Sequence, residues 1–466
     1  MCGVIGVSGV ADAARLAYLG LYSLQHRGQE SAGIVCVDGA GVARSHRGMG
    51  LVSEIFSETV LDGLHGDVAI GHTRYSTAGS SVLANAQPIL ARYREGPLAL
   101  GHNGNLTNAQ PLRADLVDKG SILQTSSDSE ILVHLIARSE AREPEDQILD
   151  ALERVEGAYS LVMTIGRTLY AVTDPRGFRP LVLGRHGNGH VIASETCALD
   201  LIGATVVREL EPGEFLRIRD GQVDALPGLP TKPSHRCVFE LVYFSRPDST
   251  VFSRSVDRVR RALGRELARE HPAAGADCVF SVPDSSNAMA LGYADESGIK
   301  LEHALIRNHY VGRTFIHPAQ QGRNAKVKIK FNPVREVLAG KRVVVVDDSL
   351  VRGTTSRGLV AMIRQAGAKE VHFRVASPPI TGPCYYGIDT PTKRELIAAN
   401  QSLEEIRRHL GVDTLGYLSL DGMLRAAGGD PKQFCHACFS GAYPTALPDE
   451  SARGRDDVPL AAPVHA

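Results

Sequence analysis

The sequence predicts an α/β protein of two or three domains, and three observations carry the prediction. Val343–Thr355 reads VVVVDDSLVRGTT, and four consecutive valines mark a strand buried on both faces, as inside a parallel sheet. Strand-like and helix-like stretches alternate from Val238 onward, the pattern of a parallel sheet with right-handed crossovers. Leu226–Pro233 holds three prolines in eight residues, which disfavour helix and central strand alike and divide the 466-residue chain into halves.

Bulk properties remove several function classes. Lys and Arg (51) nearly balance Asp and Glu (52), and a net charge of -1 gives no electrostatic case for nucleic acid or a membrane surface. No apolar run approaches the ~20 residues of a membrane span. The start, MCGVIGVSGVADAARL, lacks a basic leader and a small-residue cleavage pattern, so a cytoplasmic protein is expected. Eight cysteines over so long a chain do not make a disulfide scaffold; they are free, catalytic or metal-bound.

In chain order the first candidate is Cys2, with Gly3 leaving room beside it. Removal of Met1 would give Cys2 both a thiol and an α-amino group, whose pKa of roughly 7.7–8.0 suits a general base. Gly101–Leu106, GHNGNL, follows an apolar stretch, Pro97–Leu100, read as a strand end. Its Asn103 side-chain amide and Gly104 N–H can form two oxyanion donors. Taken alone, the Asn-Gly pair reads more simply as a tight hairpin turn. His72–Thr77, HTRYST, places Arg74 after a strand Val68–Gly71, and a guanidinium fork suits an α-carboxylate, although a surface ion pair is the commoner fate. Ser127 and Glu130 have capping-box spacing before an apolar helix Ile131–Ala137, which leaves Asp128 able to take a substrate ammonium.

Beyond the prolines, Val238–Phe244 is strand-like and Ser253–Glu270 is a charged, periodic helix. Cys278–Ser286 reads as a strand with polar groups at its carboxyl end, followed by a helix through Ala294, a strand near Ala304–Arg307, the valine strand and Val371–Ala376. Asp347 and Asp348 end the valine strand; a loop with Ser349, Arg352 and Gly353 leads to Thr354 and Thr355, which open the helix Ser356–Gln365. Ligands of open α/β sheets bind at such strand-to-helix positions. Loop amides and the helix terminus can hold a phosphate, and the carboxylates can take ribose hydroxyls or a magnesium ion. The competing reading is a buried strand ending in a capped helix. Asn308–Pro333 carries Arg313, Arg323, Lys326, Lys328 and Lys330 without strong periodicity, as solvated loops do. Cys435 and Cys438 have metal-ligand spacing, with Cys237 and Cys384 available to complete four; zinc or buried thiols serve that spacing equally.

VDDSLVRGTT resembles the phosphoribosyl-diphosphate (PRPP) loop of type I phosphoribosyltransferases, and its wording is closest to the amidophosphoribosyltransferase family. CGVIG, QHRGQES (Gln25–Ser31), GHTRYST and GHNGNL, in that order, resemble the glutaminase domain of class II, amino-terminal-nucleophile amidotransferases. Together the resemblances span Cys2 to about Gly441. They imply an αββα sandwich over 2–230 and a type I phosphoribosyltransferase α/β domain over 235–445; the polar, proline-containing end of the chain is read as a disordered tail over 446–466. They imply Cys2 as nucleophile, Asn103 and Gly104 as oxyanion donors, Arg74 and Asp128 on glutamine, and Arg27 and Thr77 near it. In the second half they imply PRPP on Ser349, Arg352, Gly353, Thr354 and Thr355, with Mg2+ at Ser285, Asp347 and Asp348. The basic stretch would be a lid that keeps water from the activated ribose.

HRCVFELVYFSRPDS, GPCYYGID and FCHACFSG resemble the branch of the family that carries a 4Fe–4S cluster on four cysteines, here Cys237, Cys384, Cys435 and Cys438. Cys36, Cys197 and Cys278 are left to core packing. The function implied is transfer of ammonia from glutamine to PRPP, the first committed step of purine synthesis, with purine nucleotides as inhibitors and a homotetramer as the assembly. Two other readings share parts of the pattern. A non-catalytic PRPP-binding regulator would need a nucleic-acid module where the glutaminase motifs stand. Another class II amidotransferase would need a second half that VDDSLVRGTT contradicts.

Overall fold

The computed structural model describes residues 2–76, 79–309, 329–390 and 392–447. Two antiparallel sheets build the first half. In one, seven strands run in the order Thr205–Glu209, Val182–His186, Gly189–Ala193, Gly3–Ser8, Val68–Arg74, Ser31–Val37 and Ala43–Met49. In the other, six run Gln222–Leu226, Phe215–Arg219, Thr168–Thr173, Gly157–Ile165, Gly96–Leu106 and Ile89–Tyr93. Period-two alternation explains the layering. Val4, Val35 and Ile70 of the first sheet meet Ala99, Val162 and Leu169 of the second in one core between them. Ile5 and Val7 point the other way, under Ala13–Ser23 and Thr196–Leu201. Leu98, Leu100 and Leu161 pack under Ser129–Arg138 and Pro144–Arg154. Helix, sheet, sheet, helix is the expected αββα sandwich.

The second half holds a four-stranded parallel sheet, ordered Cys278–Ser281, Arg342–Asp347, Glu370–Val375 and Thr414–Tyr417. The valine run divides between two cores as a doubly covered strand must. Val344 and Val346 join Leu263, Met289 and Tyr293 on one face, while Val343 and Val345 join Leu359, Val360 and Ile406 on the other.

Five local expectations are corrected. Val238–Phe244 is not a strand: Glu240–Phe244 is a π-helical turn, because Glu240 is drawn inward to buried arginines. Asn103-Gly104 is not a turn, since Gly96–Leu106 runs straight through it, and Arg74 is the last residue of its strand instead of following it. No Ser127–Glu130 capping box forms; the Glu130 carboxylate accepts instead from the Gln124 and Thr125 amides (2.7 and 2.8 Å). The charged helix begins at Val256, where the Ser255 hydroxyl caps it.

After Leu226 the chain does not swing free. The amides of Lys232, His235 and Cys237 donate to the carbonyls of Pro175, Arg176 and Phe178. Cys237 then pairs beside Cys435 through the parallel strands Arg236–Cys237 and Phe434–Cys435. Among the described residues no helix is long and apolar enough to cross a membrane.

Candidate active site

Strand pairing brings the first-half candidates together. Gly3 lies opposite Thr73, and a Cβ there would stand 2.7 Å from the Thr73 hydroxyl. Cys2 is buried beneath the adjoining strand end: its backbone N donates to Asn103 Oδ1 at 3.1 Å, and its Sγ lies 3.7 Å from the Tyr75 carbonyl. Asn103 is fully buried, and its Nδ2 has no hydrogen-bond partner among the described residues. A buried amide donor without an acceptor costs free energy unless a ligand supplies one.

Gly104 beside it has φ 155°, and a Cβ would lie 1.9 Å from the Ala158 carbonyl. The glycine serves close approach of neighbouring strands, not a turn. Gly104→Ala is therefore expected to lower the unfolding midpoint, with ~1–3 kcal/mol from backbone conformation alone and more from the clash. Denaturant titration checks it, and an unchanged midpoint would refute this account of the strand.

Arg74 is buried, 3.6 Å from Glu30, with Nη1 also donating to the Ser80 carbonyl at 3.2 Å. Glu30 accepts as well from the Ser76 amide and hydroxyl (3.0 and 2.9 Å). Asp128 is buried, and its Oδ2 accepts from Leu106 N at 2.9 Å. Thr77 lies outside the described residues.

Arg27 meets two carboxylates and Cys2. Its side chain is fully buried, with Nη1 on Glu195, Nη2 on Glu240 at 2.8 Å, and Nε donating to the Cys2 carbonyl at 3.0 Å. Glu195 also accepts from Ser249 (2.7 Å) and meets His26 (2.7 Å); His26 and Arg27 hold its carboxyl well below the usual range despite burial. This ion-pair cluster was not legible in the sequence, because Glu195 and Glu240 lie more than a hundred residues from Arg27. Glu30, by contrast, stands within the QHRGQES motif.

In the second half, parallel register sets Ser281 beside Val346, so loops 282–286 and 347–353 share the carboxyl edge of the sheet. There Ser285 Oγ and Ser349 Oγ each donate to Asp348, to Oδ1 and Oδ2, both at 2.6 Å. Asp347 and Asp348 are buried and form no ion pair among the described residues. Burial, and for Asp347 also the neighbouring Asp348 charge, pushes both carboxyls up; Lys330 opposes this at Asp347. Arg352 pairs with Glu395 at 3.1 Å. Gly353, at φ 73°, turns the chain into the helix Thr354–Gln365, whose first residues, Thr354 and Thr355, are exposed. Arg313, Arg323, Lys326 and Lys328 lie outside the described residues.

The two halves touch at Cys384–Asp389. Asn105 Nδ2 donates to the Tyr385 carbonyl at 3.0 Å, and a Cβ on Gly387 would stand 2.8 Å from the Gly104 backbone. Burial pushes the Asp389 carboxyl up, while Arg352 and a hydrogen bond from Tyr75 pull it down.

Cys237, Cys384, Cys435 and Cys438 line one cavity with Phe178, Tyr386 and Tyr443. Burial pushes the Cys237 thiol up to about 11 and raises Cys438, on which the other three cysteines also act. Among the described residues no group of three or more His, Cys, Asp or Glu side chains is arranged to hold a metal ion. Cys36, Cys197 and Cys278 are buried in apolar cores, as expected.

Cys2 opening an αββα sandwich, joined to a parallel sheet that ends in an acidic strand-to-helix loop, suits a class: a glutamine amidotransferase coupled to phosphoribosyl transfer. Comparisons narrow it. The family described as glutamine amidotransferase domain matches residues 72–201. Amidophosphoribosyltransferase 2 of Arabidopsis thaliana, a chloroplastic protein, is 54% identical over 98% of this chain and 81% of its own. The Bacillus subtilis amidophosphoribosyltransferase is 49% identical over 96% of this chain and 94% of its own. A solved structure described as the allosteric regulatory enzyme of purine biosynthesis matches with TM-score 0.92 and 48% identity, covering 96% of this chain and 97% of that one. A second, the B. subtilis glutamine PRPP amidotransferase complexed with ADP and GMP, matches with TM-score 0.91 and 48% identity over 96% of this chain and 98% of its own. The chain belongs to the amidophosphoribosyltransferase family, glycosyltransferases that open purine biosynthesis.

Proposed function

We propose that residues 2–230 release ammonia from glutamine and residues 235–445 add it to C1 of PRPP, giving glutamate, 5-phosphoribosylamine and diphosphate. The observation that carries the reading is Asn103, whose Oδ1 receives the Cys2 N–H while its buried Nδ2 lacks a partner among the described residues. Once Met1 is removed, the Cys2 α-amine takes the thiol proton, and Sγ attacks the glutamine carboxamide carbon. Asn103 Nδ2 and Gly104 N–H receive the oxyanion. The tetrahedral species collapses with the proton passing to departing ammonia, and water cleaves the thioester to glutamate. Arg74 with Glu30, together with Asp128, suits the α-carboxylate and ammonium of the substrate; Thr77 is assigned there by motif alone. Arg27 positions Cys2 through its carbonyl instead of touching glutamine.

At the second site, Ser349, Arg352, Gly353, Thr354 and Thr355 would bind the phosphoribosyl group, with loop amides and the helix terminus on phosphate. The buried, mutually repelling Asp347–Asp348 pair with Ser285 fits a magnesium ion, which when bound supplies positive charge to the diphosphate. The basic stretch is given the role of keeping water from C1 by resemblance alone. The four cysteines, which line one cavity together, suit a 4Fe–4S cluster. Eight unpaired cysteines suit a reducing compartment, the cytoplasm in this reading. Purine nucleotides as inhibitors and a homotetramer complete the proposal; the first draws on the ADP and GMP bound to the B. subtilis relative.

The test measures phosphoribosylamine formation from glutamine and, separately, from ammonium, with iron and sulfide quantified in anaerobically purified protein. Product from both nitrogen sources, in protein with about four irons per chain, is expected. Glutaminase without any ribosylamine would sink the coupled reaction, and zinc in place of iron would sink the cluster.

A further inference from the structure

Arg179 is a fully buried arginine that none of the steps above uses. It sits in the turn Asp174–Pro180, where the Asp174 carboxylate accepts from the Arg176 and Phe178 amides (2.9 and 3.1 Å) and fixes the direction of the chain. Phe178 thereby reaches the cysteine cavity. Its carbonyl receives Cys237 N at 3.1 Å, and its ring stacks on Tyr386 with centroids 4.4 Å apart. Arg179 Nε and Nη2 both donate to the Tyr386 carbonyl (3.0 and 2.5 Å), and Tyr386 N–H donates to Cys384 Sγ at 3.3 Å. On its far side Nη1 reaches Glu240 Oε1 at 3.4 Å, the carboxylate that also binds Arg27, and Arg27 holds the Cys2 carbonyl. The charges that favour the Arg179 guanidinium are those of Cys237, Glu240 and Cys384; that of Arg27 opposes it.

We propose that Arg179 is a positioning residue of the cysteine site. Its fixed positive charge offsets the thiolate charge of a bound cluster, and its two donors to Tyr386 fasten the Cys384 loop to the amidotransferase sandwich. The inference rests on the proposal that these cysteines hold a 4Fe–4S cluster. Four thiolates around such a core leave the whole site negative, and each added electron makes it more so. A buried cation favours the more negative state, and little solvent lies between to screen it. Loss of that cation makes the cluster harder to reduce and easier to oxidise, the electron passing to dioxygen when air is the oxidant. Glu240 acts with the opposite sign.

The experiment compares full-length wild type, Arg179→Lys, Arg179→Gln and Glu240→Gln, all purified without oxygen. Iron and sulfide are counted, the one-electron midpoint is titrated with dithionite, and bleaching in air is timed. All four proteins are expected to carry iron. The Arg179→Gln midpoint should move negative and its bleaching quicken, Arg179→Lys should stay near wild type, and the Glu240→Gln midpoint should move positive. Full iron with unmoved midpoints in both glutamine variants would overturn the role of Arg179, as would a negative shift in Glu240→Gln. Should Arg179→Gln fail to fold, the sign of the Glu240→Gln shift decides. Wild type without iron and sulfide would overturn the cluster itself, and this inference with it.

Discussion

Cys2→Ser is expected to lower glutamine-dependent phosphoribosylamine synthesis about a thousandfold or more while leaving ammonium-dependent synthesis largely intact. The hydroxyl replaces a thiol of nearly the same size, so the buried position tolerates it, and the backbone bond to Asn103 Oδ1 does not depend on the side chain. What is lost is the readily ionised nucleophile. Ammonium supplied from solution bypasses that step and needs only the second site. Initial rates with saturating glutamine and with saturating ammonium, on one preparation, check both halves. A folded Cys2→Ser protein that binds PRPP but makes no product from ammonium would refute the division of labour.

The valine strand was legible because burial on both faces leaves no polar alternation, and the structure divides those valines between two cores. Asp347–Thr355 was legible for a related reason: chemistry and backbone geometry lie on one contiguous stretch. Val238–Phe244 misled because a short apolar run does not distinguish strand from helix. Its single charge, Glu240, is the clue in hindsight, yet its partners Arg27 and Arg179 are far off in sequence. Asn103-Gly104 misled in the opposite sense. Turn propensity is local, whereas the demand for a glycine comes from Ala158 on the neighbouring strand. Arg27 was named from its motif as lying near substrate, but local sequence does not reveal two carboxylates brought in by tertiary packing.

Asp347→Asn with Asp348→Asn is expected to cut synthesis from glutamine and from ammonium alike, by roughly a hundredfold or more. Both routes end at C1 of PRPP, so neither nitrogen source rescues a site that no longer holds the diphosphate end. The fold is expected to survive. A side-chain amide carbonyl at position 348 can still accept from Ser285 or Ser349, and one at position 347 from the following backbone amide, as the aspartates do now. Burial and, at Asp347, the neighbouring charge disfavour the ionised carboxylates, so two neutral amides remove that cost. Thermal melts without divalent cations should therefore give a midpoint no lower than that of the parent, with PRPP binding lost in calorimetry. A double variant that melts like the parent yet still makes phosphoribosylamine from ammonium at the parent's rate would remove these carboxylates from the phosphoribosyl site.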